Sequence, residues 1–552
     1  MRVHAALGLS VVLTPFVVAH AGPTIPQDVR SQVKTLVDER ICPGVIIGLI
    51  DESGVSYYAE GGTSLSGGAK VDERTIFEIG SISKVFTAIL LCDQVEAGKL
   101  SLDDPIGRFL PPDTKVPSRG EQPMTLRMLA THRSGLPRMP DNFSPADPEN
   151  PYADYGEKDL FAFLSNHELR RDVGASYEYS NLAMGLLGQL LARESGKTYG
   201  ALLQDRVART MGLRDTCVNV KEADLPRFSD GHGGERRQAH WDFDALAGAG
   251  AIRSTASDMT RFLALNMGLD HCDIDAALKA AQAPRSETGS PDLDMALGWH
   301  IWKRHGAEIF WHNGGTAGFH SFCGFRPDKK LGVVVLANDS YNIDAIGLHA
   351  LEPKFEMKEI EKSVRVDGKV LDRYVGWYLL NPSMRIEITR AGDTLKAQLT
   401  GQDAYSVHPI AENRFVYRVV AAELEFERAA DGAATAVVLR QNGHDQRFER
   451  APADFKPPAA PREISVDPKI LASYVGVYQL APGVEFDIQL KSGQLMARLT
   501  GQPSFPVFAE SETTFFYKVV EAKLTFEKDA TGKVIALTLH QHGRDQRAEK
   551  TK

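Results

Sequence analysis

From Ser81 to about Glu96 the chain is apolar at most positions and contains no Gly or Pro, which predicts a buried helix. A charged, strand-like run, Val71 to Glu78, leads into it and ends at Gly80, so Ser81 stands at the mouth of that helix. Upstream, Asp28 to Arg40 reads as a helix. Gly44–Ile50 and Val55–Ala59 read as strands joined by the turn Glu52-Ser-Gly54. Downstream, Gly98–Pro105 is a loop, Thr125 caps a short helix that stops at Gly135-Leu-Pro137, and Pro140–Tyr155 is a Pro-, Asp- and Asn-rich surface loop. Leu182–Glu194 is a strong helix, Phe228–Arg236 reads as loop, and Ser254–Asp258 caps the helix Met259–Asn266. Ala296–Trp302, Glu308–His312, Gly318–Phe325 and Leu331–Ala337 read as successive strands. The first part of the chain is therefore α+β, an antiparallel sheet flanked by helices.

The rest is a tandem repeat. Tyr374-Val-Gly-Trp-Tyr378 recurs as Tyr474-Val-Gly-Val-Tyr478, Leu399-Thr-Gly-Gln402 as Leu499-Thr-Gly-Gln502, and Phe415–Val420 as Phe515–Val520. Each copy alternates in short strands between Gly, Asp and Asn turns, which predicts two small all-β, barrel-like domains closed so that no edge strand is left. The boundaries expected are 22–358 for the α+β domain and 359–455 and 456–552 for the repeats, with Pro452–Pro461 as linker.

Composition narrows the function. The chain has 552 residues, enough for roughly three or four domains. Its net charge of -9, without a Lys/Arg run, argues against nucleic-acid or polybasic membrane binding. Met1-Arg2, the apolar run Ala5–Val18 and Ala19-His-Ala21 fit a signal peptide over 1–21, so export is expected, to periplasm or medium, and nothing later is long and apolar enough to span a bilayer. Five cysteines, with no C-x-x-C, form neither a disulfide framework nor a zinc site; one pair could bridge, and sequence does not say which. No cofactor and no metal is implied, and a homo-oligomer is left open.

Chemistry enters at Ser81. Lys84 follows one helical turn later on the same face, near a helix N-terminus that disfavours a cation and in a segment that buries it. Both effects push it toward the neutral amine, able to take a proton from Ser81. A second Ser-x-x-Lys, Ser31–Lys34, lies in a polar helix and reads as an exposed face. Tyr177-Glu-Tyr179-Ser-Asn181 precedes the Leu182 helix. Tyr179 beside a lysine amine can share its proton as a general base, and Asn181 can hydrogen-bond both Lys84 and substrate. Trp311-His312-Asn313-Gly314-Gly315 ends a strand in glycines, the mark of close backbone approach to a ligand.

In that order, Ser-x-x-Lys, Tyr-x-Asn and His-x-Gly resemble the serine β-lactamase and penicillin-recognising family. The class C-like members are most similar: D-aminopeptidases, family VIII carboxylesterases and hydrolases of linear peptides. Phe77–Lys84, Leu129–Pro137 and Gly250–Asp258 look like that family's linking segments. The resemblance implies Ser81 as acylated nucleophile, Lys84 and Tyr179 sharing the general-base work, and His312 as the fourth catalytic candidate. It also implies a substrate site of Asn181, Asn313, Gly314 and Gly315, with an oxyanion hole from the amides of Ser81 and Gly315. It departs at His312, where class C β-lactamases carry Lys-Thr-Gly. A β-lactamase is thus expected less than a peptidase acting on short peptides or amides, with a carboxylesterase between them. A non-catalytic peptidoglycan-fragment binder is disfavoured by the intact Ser81, Lys84 and Tyr179.

Overall fold

The structure is a computed structural model that describes residues 22–283, 286–381, 384–457, 462–491, 493–502, 504–541 and 544–551. The expected signal peptide, 1–21, lies outside the described residues. Helix α1 (Gln27–Asp38) leads into strands β1 (Gly44–Asp51) and β2 (Gly54–Gly61). Helices α2 (Ser83–Glu96), α3 (Asn181–Ser195) and α4 (Ala256–Asn266) follow, then strands β3 (Ser286–Ser290), β4 (Leu293–Met295), β5 (His300–Arg304), β6 (Ala307–Gly315), β7 (His320–Arg326) and β8 (Leu331–Ala337), and helix α5 (Asp344–Leu351). The strands form one antiparallel sheet in the order β2-β1-β8-β7-β6-β5-β4-β3, so the N-terminal hairpin closes onto the last strand.

Both sheet faces are buried, which explains why β1 and β8 are apolar without alternation. Val45, Ile47, Val333 and Val335 face α1 and α5, while Ile46, Val334 and Leu336 face the core built by α2, α3 and α4. In α1, Val29, Val33 and Leu36 supply the buried stripe. Ser31 and Lys34 lie on the solvent side, where Lys34 pairs with Asp38 at 2.9 Å, so this second Ser-x-x-Lys is an exposed face. Helix α2 is buried along Ser83–Gln94 and stacks Phe86 on Phe262 of α4 at 4.4 Å.

Several elements differ from the sequence reading. Of Val71–Glu78 just Phe77–Glu78 is strand, paired with Arg253–Ser254. The residues before it turn around Asp72, whose carboxylate accepts from the Arg74 amide and the Thr75 hydroxyl. Phe228–Arg236 is not simply loop: Gly231–Gly233 and Arg236–Gln238 form a small hairpin, too short and Gly-rich to show a period. β5 starts at His300 rather than Ala296, because Gly298 at φ +75 turns the chain where any Cβ would lie 2.9 Å from the Lys84 carbonyl. The loop 140–155 carries aromatic groups inward: Tyr155 is buried and Tyr152 stacks on Phe243 at 4.5 Å.

The repeats are two closed eight-stranded barrels, each with strands in sequence order. A seven-residue helix, Gly368–Tyr374 or Pro468–Tyr474, opens each one. The Tyr-Val-Gly-x-Tyr repeat plugs that end. Tyr378 donates to the Tyr374 carbonyl and Tyr374 stacks on Phe426 at 4.2 Å, with Tyr478, Tyr474 and Phe526 repeating the pattern. The first barrel docks on the α+β domain through Glu39, which accepts from Arg418 at 2.9 Å and from the Ser363 amide and hydroxyl. The Gly231–Gln238 hairpin joins it as well, Glu235 accepting from Ser406 at 3.0 Å.

Candidate active site

Ser81 sits in a single 3-10 turn, Gly80–Ile82, immediately before α2. Gly80 adopts φ +48, and a Cβ there would lie 2.8 Å from the Gly315 amide nitrogen, so both conformation and space require glycine. Lys84, in the first turn of α2, is fully buried. Its amine lies 2.8 Å from Ser81 Oγ and donates to the Ala249 carbonyl at 2.7 Å. That carbonyl is within reach because Gly188 of α3 lets Gly248 approach until an added Cβ would be 2.8 Å away. Burial first, and the Arg138 charge second, hold the Lys84 amine well below the usual lysine range. The group poised on Ser81 is therefore a neutral amine with a free lone pair.

Tyr179 and Asn181 flank Ser180, the N-cap of α3. Ser180 accepts from the Ala183 amide at 2.9 Å, donates its hydroxyl to Pro137 O at 2.6 Å and its amide to His132 Nδ1 at 3.1 Å. The Tyr179 ring lies 5.0 Å from Lys84 Nζ. Burial pushes its phenol up, opposed in part by a hydrogen bond with Ser81 and by Arg138, so it stays protonated across the working range. Burial thus moves the lysine and the tyrosine in opposite directions, the amine toward its unprotonated form and the phenol toward its protonated form. One correction concerns Asn181. Its Nδ2 meets Met139 Sδ at 3.8 Å, its Oδ1 is buried without a hydrogen-bond partner, and Lys84 turns to Ala249 instead.

The end of β6 divides by strand alternation. His312 and Gly314 face the site, and Asn313 points to the other side of the sheet, where its amide donates to Asp344 at 2.6 Å. Asn313 is thus not brought to Ser81. A Cβ on Gly314 would lie 1.9 Å from Ile79 O, and Ser321 Oγ ties the same carbonyl at 2.9 Å, so β6 is held hard against the residues before Ser81. Gly315 is exposed, and nothing lies within 4 Å of where its Cβ would be. His312 is completely buried, gives Nδ1–H to the Asn313 carbonyl at 2.6 Å and leaves Nε2 without a partner. Burial and the neighbouring His300 and Lys84 hold it well below the usual histidine range, so it is neutral and offers no cation to a substrate.

Three further residues meet here that sequence reasoning did not select. His132, at φ +57, packs its ring tilted against Tyr179 at 4.6 Å. His300 packs 4.8 Å from His312 and is pushed down to about 4 by burial and Lys84. Arg138 places its guanidinium 5.1 Å from the Tyr179 ring centre. His132 and Arg138 flank or lie within the Leu129–Pro137 segment; His300 carried no local signal. Among the described residues, no group of three or more His, Cys, Asp or Glu is arranged to hold a metal ion, and all five cysteines are free thiols. Two openings lie where the α+β domain meets the barrels, and none of Ser81, Lys84, Tyr179 and His312 lines either. One, of about 600 Å³, lies between Pro137, Met139 and Glu178 and the second barrel's Asp487, Arg498 and Thr500; the other, of about 960 Å³, lies between Ala317 and Gly233 and residues Asp403, Tyr405 and Lys518 of the barrels.

A hydroxyl and a buried neutral amine in contact beside a protonated phenol is the equipment of a serine hydrolase. The Beta-lactamase family model matches residues 29–351, more than half of the chain, and the chain belongs to that family. A Domain of unknown function (DUF3471) model matches each barrel, at 361–450 and 460–550. The chain is 27% identical to the Beta-lactamase of Escherichia coli strain K12 over 57% of its own length and 88% of that protein. It is 26% identical to the D-alanyl-D-alanine-carboxypeptidase/endopeptidase AmpH of the same strain, over 54% and 80%. Penicillin-binding protein 4* of Bacillus subtilis strain 168 is 25% identical over 68% and 88%. A class C beta lactamase structure from Rhodobacter sphaeroides superposes with a TM-score of 0.53 at 24% identity, over 60% of this chain and 99% of that one. The protein is a β-lactamase-fold serine hydrolase.

Proposed function

We propose that this hydrolase cleaves amide bonds of short peptides through an acyl-enzyme on Ser81. The observation that carries the reading is the 2.8 Å contact between Ser81 Oγ and a completely buried, neutral Lys84 amine. Lys84 takes the hydroxyl proton as Ser81 attacks the carbonyl carbon. The developing oxyanion falls between the Ser81 and Gly315 amides, donors each worth about 3 kcal/mol of barrier in such sites. Tyr179 gives its proton to the leaving nitrogen and is reprotonated by the Lys84 ammonium, which holds the proton taken from Ser81. Lys84 then takes a proton from the water that attacks the ester and returns it to Ser81 Oγ as the acid leaves. The unpartnered Asn181 Oδ1 is free to accept from a substrate amide.

Peptide amides are favoured over β-lactams because the neutral His312 stands where β-lactamases of this kind carry a lysine. The likeness to AmpH, named as a carboxypeptidase and endopeptidase, points the same way. Export belongs to the proposal too: the Met1–Ala21 pattern supports it, and fractionation of expressing cells tests it. Among the described residues, no helix is long and apolar enough to cross a membrane. The reaction itself is tested by comparing kcat/KM on a D-alanine anilide and a short-chain nitrophenyl ester, with Ser81→Ala as control. Anilide turnover lost in Ser81→Ala supports the peptidase. Turnover of the ester alone moves the protein to a carboxylesterase.

A further inference from the structure

Arg138 brings to the site a fixed positive charge that takes no part in the proton transfers. Arg138 follows Pro137 directly, and its backbone carbonyl accepts the amides of Asn181 and Leu182 at 3.0 and 3.2 Å, so the turn that builds the start of α3 also fixes Arg138. Its guanidinium lies over the Tyr179 ring on the exposed side of the site. Among the described residues nothing accepts a hydrogen bond from that guanidinium and no carboxylate pairs with it.

Most of the neighbouring charges have partners of their own, and Asp141 and Arg170, which line the same side, pair with neither Arg138 nor each other among the described residues. Arg171 pairs with Glu178. Arg133 donates to the carbonyls of Gly174 and Glu287. Asp344 is held by Asn313 and His320, and Glu78 by Arg253. Lys84, His132, His300 and His312 face the same space from α2, the loop after it, β5 and β6, and burial holds each toward its neutral form. A guanidinium is always charged and offers five donors in a plane suited to a carboxylate. Left without an acceptor above the acid of the reaction and beside Asn181, it lacks the partner that its geometry fits.

We propose that Arg138 is a substrate-recognition residue that binds a carboxylate on the acyl part of the substrate, making an anionic acyl group the preferred one. The proposal rests on the reading of Ser81 as the acylated nucleophile. It separates from a purely electrostatic role, in which Arg138 acts through Lys84 alone, because that role affects charged and neutral substrates alike.

The test is a ratio. kcat/KM is measured for the α-p-nitroanilides of glutamate and glutamine, in both stereochemistries, with wild type, Arg138→Gln and Arg138→Lys. The two substrates differ only in carboxylate against carboxamide. Wild type is expected to prefer the glutamyl substrate by about tenfold or more, the scale of a charge-assisted hydrogen bond. The preference should fall to near unity in Arg138→Gln and be partly restored in Arg138→Lys. Equal ratios in wild type and Arg138→Gln overturn the proposal, as does a wild-type preference for the glutamine substrate. If wild type turns over neither anilide, the amide reading fails separately, and the same ratio is taken on the ethyl esters of the two amino acids. A carboxylate preference there that vanishes in Arg138→Gln upholds the recognition role, and no preference removes it.

Discussion

Gly314→Ala probes the joint on which the proposed oxyanion site depends. The added methyl would start 1.9 Å from the Ile79 carbonyl oxygen and 2.6 Å from Ser321 Oγ. Carbon and oxygen need about 3 Å or more, so the end of β6 must retreat from the Ile79–Ser81 turn by roughly 1 Å. The hydroxyl of Ser321 can rotate away; the Ile79 carbonyl cannot, because Ile79 is also fixed through its own amide to Ile252 O at 3.0 Å. A retreat of that size takes the Gly315 amide out of hydrogen-bond range of an oxyanion held by Ser81. Loss of one such donor costs about 10²- to 10³-fold in kcat. The assay is kcat and KM on whichever substrate wild type turns over, with the melting temperature as control for folding. The expected result is a folded protein with kcat down about a hundredfold or more and KM changed far less. A folded variant within about threefold of wild-type kcat would refute the claim that β6 must sit this close.

Other consequences follow from the same geometry. The proposed reaction needs the unprotonated Lys84 amine, so kcat/KM should fall on the acid side as Lys84 charges. Removing the Arg138 charge in Arg138→Gln should raise that pKa and move the acid limb to higher pH; an unmoved limb would remove Arg138 from the electrostatics of Lys84. Asp339, buried beneath the Gly231–Gln238 hairpin, is raised from near 3.8 to about 7 by desolvation despite the amides of Tyr341 and Gly234 that it accepts. The folded state then binds the extra proton, so this group withdraws stability as pH rises from about 4 to 7, on the order of 4 kcal/mol in all; Asp339→Asn should flatten that part of the denaturation-versus-pH curve, and an unchanged slope would contradict it. Glu39→Ala leaves the Arg418 guanidinium, 8% exposed, with the Glu361 carbonyl but without its carboxylate, and should cost about 1–3 kcal/mol, seen as a lower melting point and faster proteolysis near Ser363 between the domains.

The parts of this molecule visible in the sequence share a physical cause. Helix α2, with Ser81 and Lys84 one turn apart, and the Tyr179–Asn181 cap of α3 are local features, set by apolar pattern and capping chemistry. The barrels were legible because their plugging tyrosines repeat. What stayed hidden depends on contacts between distant segments. His300 reaches Tyr179 from a strand more than a hundred residues away, and Ala249 takes the Lys84 amine because Gly188 lets Gly248 close in. Asn313 reads from sequence as one of a run of substrate residues, yet the period of two in a strand sends it to Asp344 while His312 and Gly314 face the site. The direction in which burial moves the Tyr179 phenol also needed the fold, because the sequence placed it near an amine but not in so dry a place.

The most direct measurement of the central claim is peptide mapping of the enzyme quenched in acid during turnover of an activated ester. An acyl group is expected on Ser81, within the peptide Thr75–Lys84, distinguished by fragmentation from Ser83 and absent in Ser81→Ala. An acyl group on another residue, or steady turnover that persists in Ser81→Ala with no adduct, would contradict it.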